Sequence, residues 1–202
     1  MRIGVSLLNL RIGEMGGFET YVRKVVDYLP GCAEPDEVVF IVNRDNRTFV
    51  PTEYNIHELG WSQRRTSLRR TIEALFPFVP NALTGVFREL ELDVIFYPHQ
   101  AMFPISVSAP SVVTVADIQH FYYPRYFSLA DRLFRRLAYR RAVYACDRIM
   151  AISEFTAACV VEKYAVDRDQ IAVIHHGFDP KAIDRINPLP GTPNPYIYYP
   201  AA

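Results

Sequence analysis

Apolar residues follow two patterns along the chain, and the first example of each lies near the amino terminus. Residues 3–8 form a short apolar run, which is typical of a strand buried on both faces of a parallel sheet. From Gly17 to Leu29, apolar side chains recur at spacings of three and four residues. This spacing places them on one face of a helix, which Pro30 and Gly31 then end.

Both patterns continue through the rest of the sequence. They predict further strands at residues 38–42, 54–59, 93–97, 111–116, 148–152 and 171–175, and further helices at residues 67–76, 82–90, 128–146 and after Ser153. Strands that alternate with helices predict an α/β fold, a Rossmann-like parallel sheet with helices on both faces. Ligands of such sheets bind beyond the carboxyl ends of the strands, so the loops that follow strands are the places to search for chemistry.

Composition excludes several classes of function. The chain has 202 residues with 22 basic and 22 acidic side chains, so its total charge gives no signature of nucleic-acid binding. It contains no apolar run of about 18 residues, which a membrane-spanning helix would need. Its three cysteines lack C-x-x-C spacing, which favours buried free thiols in a reducing cytosol. We therefore expect a cytoplasmic protein.

The loop after the first strand is the first candidate site. Gly13, Gly16 and Gly17 surround the start of the first helix, and Glu19 follows in its first turn. Glycine lets backbone N–H groups approach an anion closely, and a helix amino terminus favours negative charge. A phosphate or sugar-diphosphate contact and a purely structural turn are equally open here. Because the spacing is not G-x-G-x-x-G, a nicotinamide oxidoreductase is disfavoured.

The loop after the strand at residues 111–116 is the second candidate. Asp117 and His120 lie just past the strand end, and Tyr122 and Tyr123 begin an aromatic stretch. A carboxylate and an imidazole there can bind sugar hydroxyls or transfer a proton, and aromatic rings can stack on sugars or lipids. The alternative is that Asp117 caps a turn and the rings form a hydrophobic flap. Even with His99, the ligand spacing is too loose to predict a metal site.

Two further candidate loops follow strands of the predicted sheet. Ser153 follows the sixth strand and is most simply the N-cap of a helix, whose amino terminus can also help to hold an anion. Gly177 follows the paired residues His175 and His176, whose side chains point to opposite sides if the strand continues through them. Gly177 is therefore interpreted as a turn at which the chain approaches a cleft.

Charge is segregated although its total is balanced. Residues 128–146 predict an amphipathic helix that carries Arg132, Arg135, Arg136, Arg140 and Arg141, and a second basic cluster consists of Arg64, Arg65, Arg69 and Arg70. A basic amphipathic helix can lie on anionic lipid. The alternative is a solvated face whose arginines pair with nearby acids such as Glu73, Asp131 and Asp147.

Five segments occur in an order that resembles a known family. They are Gly-Gly-Phe-Glu-Thr-Tyr-Val at 16–22, Val-Val-Thr-Val-Ala-Asp-Ile-Gln-His at 112–120, Tyr-Pro-Arg-Tyr-Phe-Ser at 123–128, Asp-Arg-Ile-Met-Ala-Ile-Ser-Glu-Phe-Thr at 147–156 and Ile-Ala-Val-Ile-His-His-Gly-Phe-Asp at 171–179. Together they resemble the N-terminal domain of a family 4 glycosyltransferase with the GT-B fold. One departure is Ala116, which stands where related sequences often have a histidine directly before the aspartate.

This resemblance implies a two-domain enzyme with its active site between the domains. The implied reaction moves a hexose, with retention of configuration, from a nucleotide-diphosphate sugar to a glycan or lipid-linked acceptor, without a cofactor or metal. Gly16 and Gly17 would face the diphosphate of the donor, and Asp117 and His120 are the catalytic candidates. The remaining candidates for the acceptor side or the cleft are Glu19, His99, Tyr122, Tyr123, Ser153 and Gly177.

The resemblance also implies a division of the chain. We expect residues 1–184 to form the acceptor-side domain, and residues 185–202 to be an interdomain linker and the first strand of a donor-binding domain. A peripheral contact with the inner face of the membrane would suit a lipid-linked acceptor. The alternative function is a non-catalytic module that binds carbohydrate or nucleotide.

Overall fold

Seven parallel strands form the centre of the protein. The computed structural model describes residues 1–32, 37–76 and 79–177, and its strand order is β3-β2-β1-β4-β5-β6-β7. The strands are β1 Ile3–Ser6, β2 Val38–Asn43, β3 Asn55–Leu59, β4 Val94–Tyr97, β5 Ser111–Val115, β6 Arg148–Ala151 and β7 Ile171–Val173. Each predicted strand is present, so the predicted α/β class with a Rossmann-like parallel sheet is confirmed.

Six α-helices lie in the connections between these strands in the described residues. They are α1 Gly17–Tyr28, α2 Gln63–Leu75, α3 Leu83–Glu89, α4 Gln119–Tyr122, α5 Leu129–Ala145 and α6 Glu154–Tyr164. Helix α2 begins before the predicted residue 67 because Ser62 caps it, and the Ser62 Oγ accepts a hydrogen bond from the Arg65 N–H at 3.3 Å. Helix α4 was not predicted, since a single turn is too short to show a hydrophobic period.

The helices cover both faces of the sheet, as predicted. Alternate residues of β2 point to opposite faces: Phe40 packs in one apolar cluster with Val22 and Val26 of α1. Ile41 packs in a second cluster with residues of α3, α5 and α6. All six residues of β2 are buried, which explains why its sequence is continuously apolar up to Asn43.

The topology creates a crevice between β1 and β4. From β1 the sheet grows outward through β2 and β3 on one side and through β4 to β7 on the other. At such a switch point, the loops that leave neighbouring strands diverge above the sheet edge and leave room for a ligand. The loops after β1 and β4 therefore border the expected position of a site.

Three further expectations concern the cysteines, membrane-spanning helices and residues 185–202. Cys146 and Cys159 are buried as expected, but Cys32 is exposed, so the prediction of three buried thiols is wrong at that position. Within the described part of the chain, no helix combines the length and apolar character needed to cross a bilayer. Residues 185–202, predicted as a linker and the first strand of another domain, lie outside the described residues.

Candidate functional site at the carboxyl edge of the sheet

The loop between β1 and α1 is held in shape by its glycines and by Glu19. Gly13 has φ +79° and Gly16 has φ +53°, a region that side chains rarely adopt. The Glu19 Oε2 accepts a hydrogen bond from the Gly13 N–H at 2.6 Å. Glu19 therefore braces the loop that leads into α1, which is a structural role compatible with its predicted place near the cleft.

Gly17 differs from Gly16 in a way that matters for ligand binding. Its φ is not in the positive region, and a Cβ atom added there would meet no atom of the described residues within 4 Å. Gly17 is the first residue of α1, at the positive end of the helix dipole. The backbone conformation therefore requires glycine at Gly16, whereas at Gly17 the absence of a side chain leaves open space for a ligand.

Gly17 opens onto a cavity of about 520 Å³ between α1 and the ends of β6 and β7. The cavity brings together two residues that the sequence predicted separately, Gly17 and Gly177. Its other lining residues are Thr20, Tyr21, Lys24, Val25, Tyr28, Met150, Ile174, His175 and His176. The segment after β7 and the amino terminus of α1 therefore meet around one space large enough for a small ligand.

Tyr21 and His176 form one wall of this cavity. Their rings stack with centroids 4.4 Å apart and planes inclined by 15°. The Tyr21 hydroxyl lies 3.1 Å from the Thr114 Oγ1, so the stack is anchored to β5. Burial lowers the pKa of His176 below its ordinary value, which favours a neutral ring at physiological pH.

A larger cavity of about 670 Å³ lies between α2, α3 and α5. Its lining includes Glu73, Asn81, Thr84, Leu137 and Arg141, which lie on the helical layer rather than at the strand ends. Size alone would favour this cavity. The topology favours the smaller one, because parallel α/β sheets bind ligands at the carboxyl edge.

His99 links the loop after β4 to the start of α1. Its Nδ1 accepts a hydrogen bond from the Ala101 N–H at 3.2 Å. Its ring packs edge-on against the Phe18 ring, with the two ring centroids 4.9 Å apart. Burial, followed by the charges of Arg70, Arg135 and Arg11, lowers the pKa of His99 to about 3. His99 is therefore neutral at physiological pH, and the hydrogen bond from Ala101 places the ring proton on Nε2.

Asp117 lies at the end of β5, where it caps a turn. Its Oδ1 accepts a hydrogen bond from the Gln119 N–H at 3.1 Å, and its own N–H donates to the Gln100 Oε1 at 3.3 Å. The alternative that Asp117 caps a turn thus corresponds to a contact that the structure contains. A cap engages one carboxylate oxygen and does not require the negative charge, so it is compatible with a second role in the crevice.

His120 is enclosed instead of facing the crevice. Only 1% of its surface is exposed, and its ring packs 4.5 Å from the Phe121 ring and 5.3 Å from the Tyr139 ring, both distances between centroids. Neither ring nitrogen has a hydrogen-bond partner among the described residues. Burial, followed by the charge of Arg135, lowers the pKa of His120 to about 4. A side chain in this position does not reach a bound substrate unless α4 moves.

The remaining candidates lie further along the same edge. The Ser153 Oγ accepts a hydrogen bond from the Thr156 N–H at 3.1 Å, which makes it the N-cap of α6. Tyr122 and Tyr123 are 41% and 56% exposed, and the Tyr122 hydroxyl donates to the Glu162 Oε2 at 3.2 Å. The two tyrosines form an exposed aromatic surface, whereas Ser153 closes a helix end.

Comparison with protein families decides where the chain belongs. Residues 15–182 match the sequence profile described as Glycosyltransferase Family 4. The chain belongs to that family. The match covers Gly16 and Gly17, the Asp117 turn and the cavity around Gly17, so family membership and the geometry of the carboxyl edge concern the same residues.

Other comparisons are more distant. The solved structures similar to this chain include a crystal structure of a glycosyltransferase from Rickettsia africae ESF-5, with 15% sequence identity and a TM-score of 0.49. The similarity covers 93% of this chain and 46% of that one, so this chain spans less than half the length of that protein. No curated protein matches the chain significantly.

The sequence did not indicate the polar network that this family 4 domain holds beneath its crevice. The Arg135 guanidinium donates to the Tyr139 hydroxyl at 3.1 Å, and the Gln100 Nε2 donates to the same hydroxyl at 3.1 Å. Gln100 in turn holds the backbone of Asp117. Isolated polar residues on separate elements carry no local pattern, so no sequence signal could have joined them.

Proposed function

We propose that this chain is the acceptor-side domain of a retaining glycosyltransferase. The enzyme would move a hexose from a nucleotide-diphosphate sugar to a glycan or a lipid-linked acceptor. The observation that carries the proposal is the meeting of Gly17, at the start of α1, with Gly177 around one cavity at the carboxyl edge. Family membership supplies the reaction class, since glycosyltransferases join a donor and an acceptor.

The geometry suits stabilisation of a departing diphosphate. The amino terminus of α1 presents the positive end of a helix dipole, and Gly17 leaves space beside it. Such a site would lower the barrier by orienting the donor and stabilising negative charge on the leaving group. In this proposal a second domain, of the kind that the GT-B resemblance implies, supplies the remaining contacts of the nucleotide-sugar.

Asp117 is the residue that we propose to act on the transferred sugar, by balancing the positive charge that develops during transfer. Replacement by asparagine keeps an oxygen that can accept from the Gln119 N–H, but removes the charge. In the complete enzyme, Asp117→Asn should lower kcat by about 10²-fold, or roughly 2.7 kcal/mol of transition-state stabilisation, with an unchanged melting temperature.

The measurement is transfer from a panel of nucleotide-sugars, by the complete enzyme and by this chain alone. Turnover by the complete enzyme with none by this chain supports the proposal. Robust turnover by residues 1–202 alone would contradict the two-domain arrangement. Ligand binding without turnover in either form would identify a non-catalytic module. An unchanged kcat with a lowered melting temperature in Asp117→Asn would leave Asp117 as a turn cap only.

We also propose that α5 docks on anionic lipid. Leu129 and Leu133 are 79% and 56% exposed, and Arg132 and Arg136 share their helical face at spacings of three and four residues. An exposed apolar stripe beside arginines is the arrangement of a helix that lies in a membrane interface. Each well-placed arginine contributes about 1 kcal/mol near such a surface.

The contacts of the other arginines show which of them are engaged elsewhere in the protein and so do not belong to this docking face. Arg135 pairs with Asp131 at 3.1 Å, Arg69 donates to the Pro80 carbonyl at 2.9 Å, and Arg141 donates to the Glu73 carbonyl. Of the acids that sequence analysis suggested as partners, Asp131 alone forms an ion pair with these clusters in the described part of the chain. The two basic clusters therefore divide into arginines that bind other parts of the protein and arginines that do not. On α5, the exposed Arg136 and the half-buried Arg132 border the exposed leucines.

Sedimentation with vesicles tests the docking face. Wild type should bind vesicles that contain an anionic lipid, binding should weaken with salt, and the double variant Arg132→Glu, Arg136→Glu should lose most of it. The matched control is Arg44→Glu, Arg88→Glu, which makes the same charge change on exposed residues of other elements. Equal binding to neutral and anionic vesicles, or equal loss in the control, would contradict docking through α5.

A further inference from the structure

Arg70 is a half-buried cation beneath the crevice. Its Nη1 donates a hydrogen bond to the Asn9 Oδ1 at 2.9 Å, and its guanidinium lies 5.1 Å from the centre of the Phe134 ring. Its Nε is buried and has no hydrogen-bond partner in the part of the chain that the structure describes. Within the described residues, no carboxylate oxygen lies within 4 Å of this guanidinium, whereas buried charges in proteins are normally paired.

The neighbours of Arg70 add positive charge. The charge of Arg11 lowers the pKa of Arg70, after burial, to about 10. After burial, the charges of Arg70, Arg135 and Arg11 all lower the pKa of His99, so the three guanidinium groups act on one ring. Two carboxylates offset part of the charge, because Glu14 lies 3.4 Å from Arg11 and Asp131 lies 3.1 Å from Arg135. Among the described residues, three cations against two paired anions leave one positive charge without an ion-pair partner.

Asn9 holds the guanidinium in place. The Asn9 Nδ2 donates to the Ala101 carbonyl at 2.6 Å, while its Oδ1 accepts from Arg70. The loops after β1 and β4 are thus tied to α2 through one amide. A side chain whose position is fixed in this way loses less conformational freedom when it binds an oxyanion.

Space for a ligand lies beside Arg11. Arg11 lines a surface cavity of about 450 Å³ between the β1 loop and the first turns of α2. The Arg11 Nη2 donates to the Ser67 Oγ at 3.4 Å, and Ser67 lies on α2 three residues before Arg70. The carboxylates that also line this cavity are Glu14, paired with Arg11, and Asp45, which accepts from the Gln63 N–H at 2.6 Å.

We propose that Arg70, supported by Arg11 and Arg135, forms a subsite for a phosphate group of the acceptor. This inference rests on the proposed function, because it assigns the acceptor of that reaction to an anionic class. Arginine matches phosphate with its planar fork of donors, and hydrogen bonds between opposite charges are among the strongest in proteins. A bound phosphate would neutralise the unpaired charge and would satisfy donors that the protein leaves free.

Phosphate binding to residues 1–202 tests the subsite directly. Inorganic phosphate is titrated at constant ionic strength against chloride, by calorimetry and by NMR of the His99 ring. We expect saturable binding in wild type, at least about ten-fold weaker binding in Arg70→Gln, and partial recovery in Arg70→Lys. Because the arginines hold the pKa of His99 low, bound phosphate should raise it, a readout that a merely structural Arg70 would not change.

The matched control is Arg65→Gln, which removes the same charge from α2. Arg65 is exposed and stacks over the Trp61 ring at 4.4 Å, away from the Asn9 contact. Phosphate affinity should be unchanged in this variant. Equal weakening by Arg65→Gln and Arg70→Gln, or no saturation beyond chloride in wild type, would overturn the subsite.

Two sources of phosphate can be separated. Binding of a hexose phosphate would assign the subsite to a soluble acceptor, and binding of vesicles that contain phosphatidic acid, but not of the hexose phosphate, would assign it to a lipid. Binding of neither would overturn the proposal. In the complete enzyme, Arg70→Gln should raise KM for a phosphorylated acceptor with little change in kcat.

The two proposals fail in distinguishable ways. If phosphate binds through Arg70 but the complete enzyme transfers no sugar, the transferase proposal fails and the subsite stands. If the enzyme transfers sugar with the same acceptor KM in wild type and Arg70→Gln, the subsite is overturned and the transferase proposal stands.

Discussion

Gly17→Val should lower transfer by the complete enzyme by at least about 10²-fold, or roughly 2.7 kcal/mol, without loss of stability. Gly17 lacks the positive φ that would make a side chain strained, and its Cβ position is free of neighbours. The added isopropyl group would occupy the space beside the amino terminus of α1, where we place the diphosphate of the donor. Measurement of kcat/KM together with the melting temperature separates a blocked site from a damaged fold.

The control for this prediction is Gly85→Val. Gly85 lies in α3, and a Cβ atom there also meets nothing within 4 Å, so the same substitution is made in open space away from the crevice. Transfer by this variant should equal that of wild type. Gly16→Ala is a useful contrast, because the φ of +53° predicts strain and a lowered melting temperature. Near-wild-type kcat/KM in Gly17→Val would contradict a diphosphate contact at this residue.

Acid should destabilise the domain steeply between about pH 6.5 and pH 4. His99 and His120 have pKa values of about 3 and about 4 in the folded protein, against 6.5 ordinarily. In this window the unfolded chain binds a proton at each of these two histidines that the folded protein does not, so the free energy of unfolding falls as pH falls. His176, whose pKa burial also lowers, acts in the same direction. Two protons correspond to a slope of about 2.7 kcal/mol per pH unit.

Several charged groups face these two rings. Arg70, Arg135 and Arg11 act on His99, and Arg135, Arg136, Asp117 and Asp131 act on His120. The two aspartates raise the pKa of His120, but burial and the arginines outweigh them. Glu73 acts in the opposite direction. Burial raises its pKa, so at pH values above the ordinary pKa of a glutamate the folded protein keeps a proton that the unfolded chain loses, and the free energy of unfolding then falls as pH rises. The contribution of the histidines is therefore best measured as a difference between variants.

Urea unfolding across this pH range, on wild type and two variants, provides the measurement. His99→Gln keeps an acceptor for the Ala101 N–H, and His120→Phe suits a ring that packs between Phe121 and Tyr139 without hydrogen bonds. Each substitution should remove about 1.4 kcal/mol per pH unit from the slope. A slope that neither variant changes would show that the histidines do not control acid stability.

Local sequence patterns predicted most of the fold. The apolar spacing after Gly17 corresponds to α1, in which Val22 and Val26 are buried. The continuous apolar run of β2 corresponds to a strand buried on both faces. Such patterns suffice because the periods of helix and strand are properties of short segments. The start of α2 was misplaced because its first turn is polar and arginine-rich, and a hydrophobic period cannot show where a polar turn begins.

The candidate site was predicted in its parts but not in its assembly. Glycine chemistry identified Gly16 and Gly17, and strand ends identified Asp117 and Gly177. The sequence did not show that Gly17 and Gly177 share a cavity, or that Tyr21 stacks on His176. These contacts join residues more than 150 positions apart in sequence, so they depend on the order of strands in the sheet.

The sequence by itself determined the succession of strands and helices, the parallel sheet and the loops at its carboxyl edge, since each follows from short-range hydrophobic period and turn chemistry. The tertiary structure alone decided which polar groups are buried and which meet. His120 follows a strand as an exposed catalytic residue would, yet α5 encloses it through Tyr139. Arg70 belongs to a basic cluster on a helix, yet the crossover from β3 to β4 carries that helix across the sheet and places Arg70 against Asn9. Burial and long-range contact depend on how elements pack, and no local pattern encodes that packing.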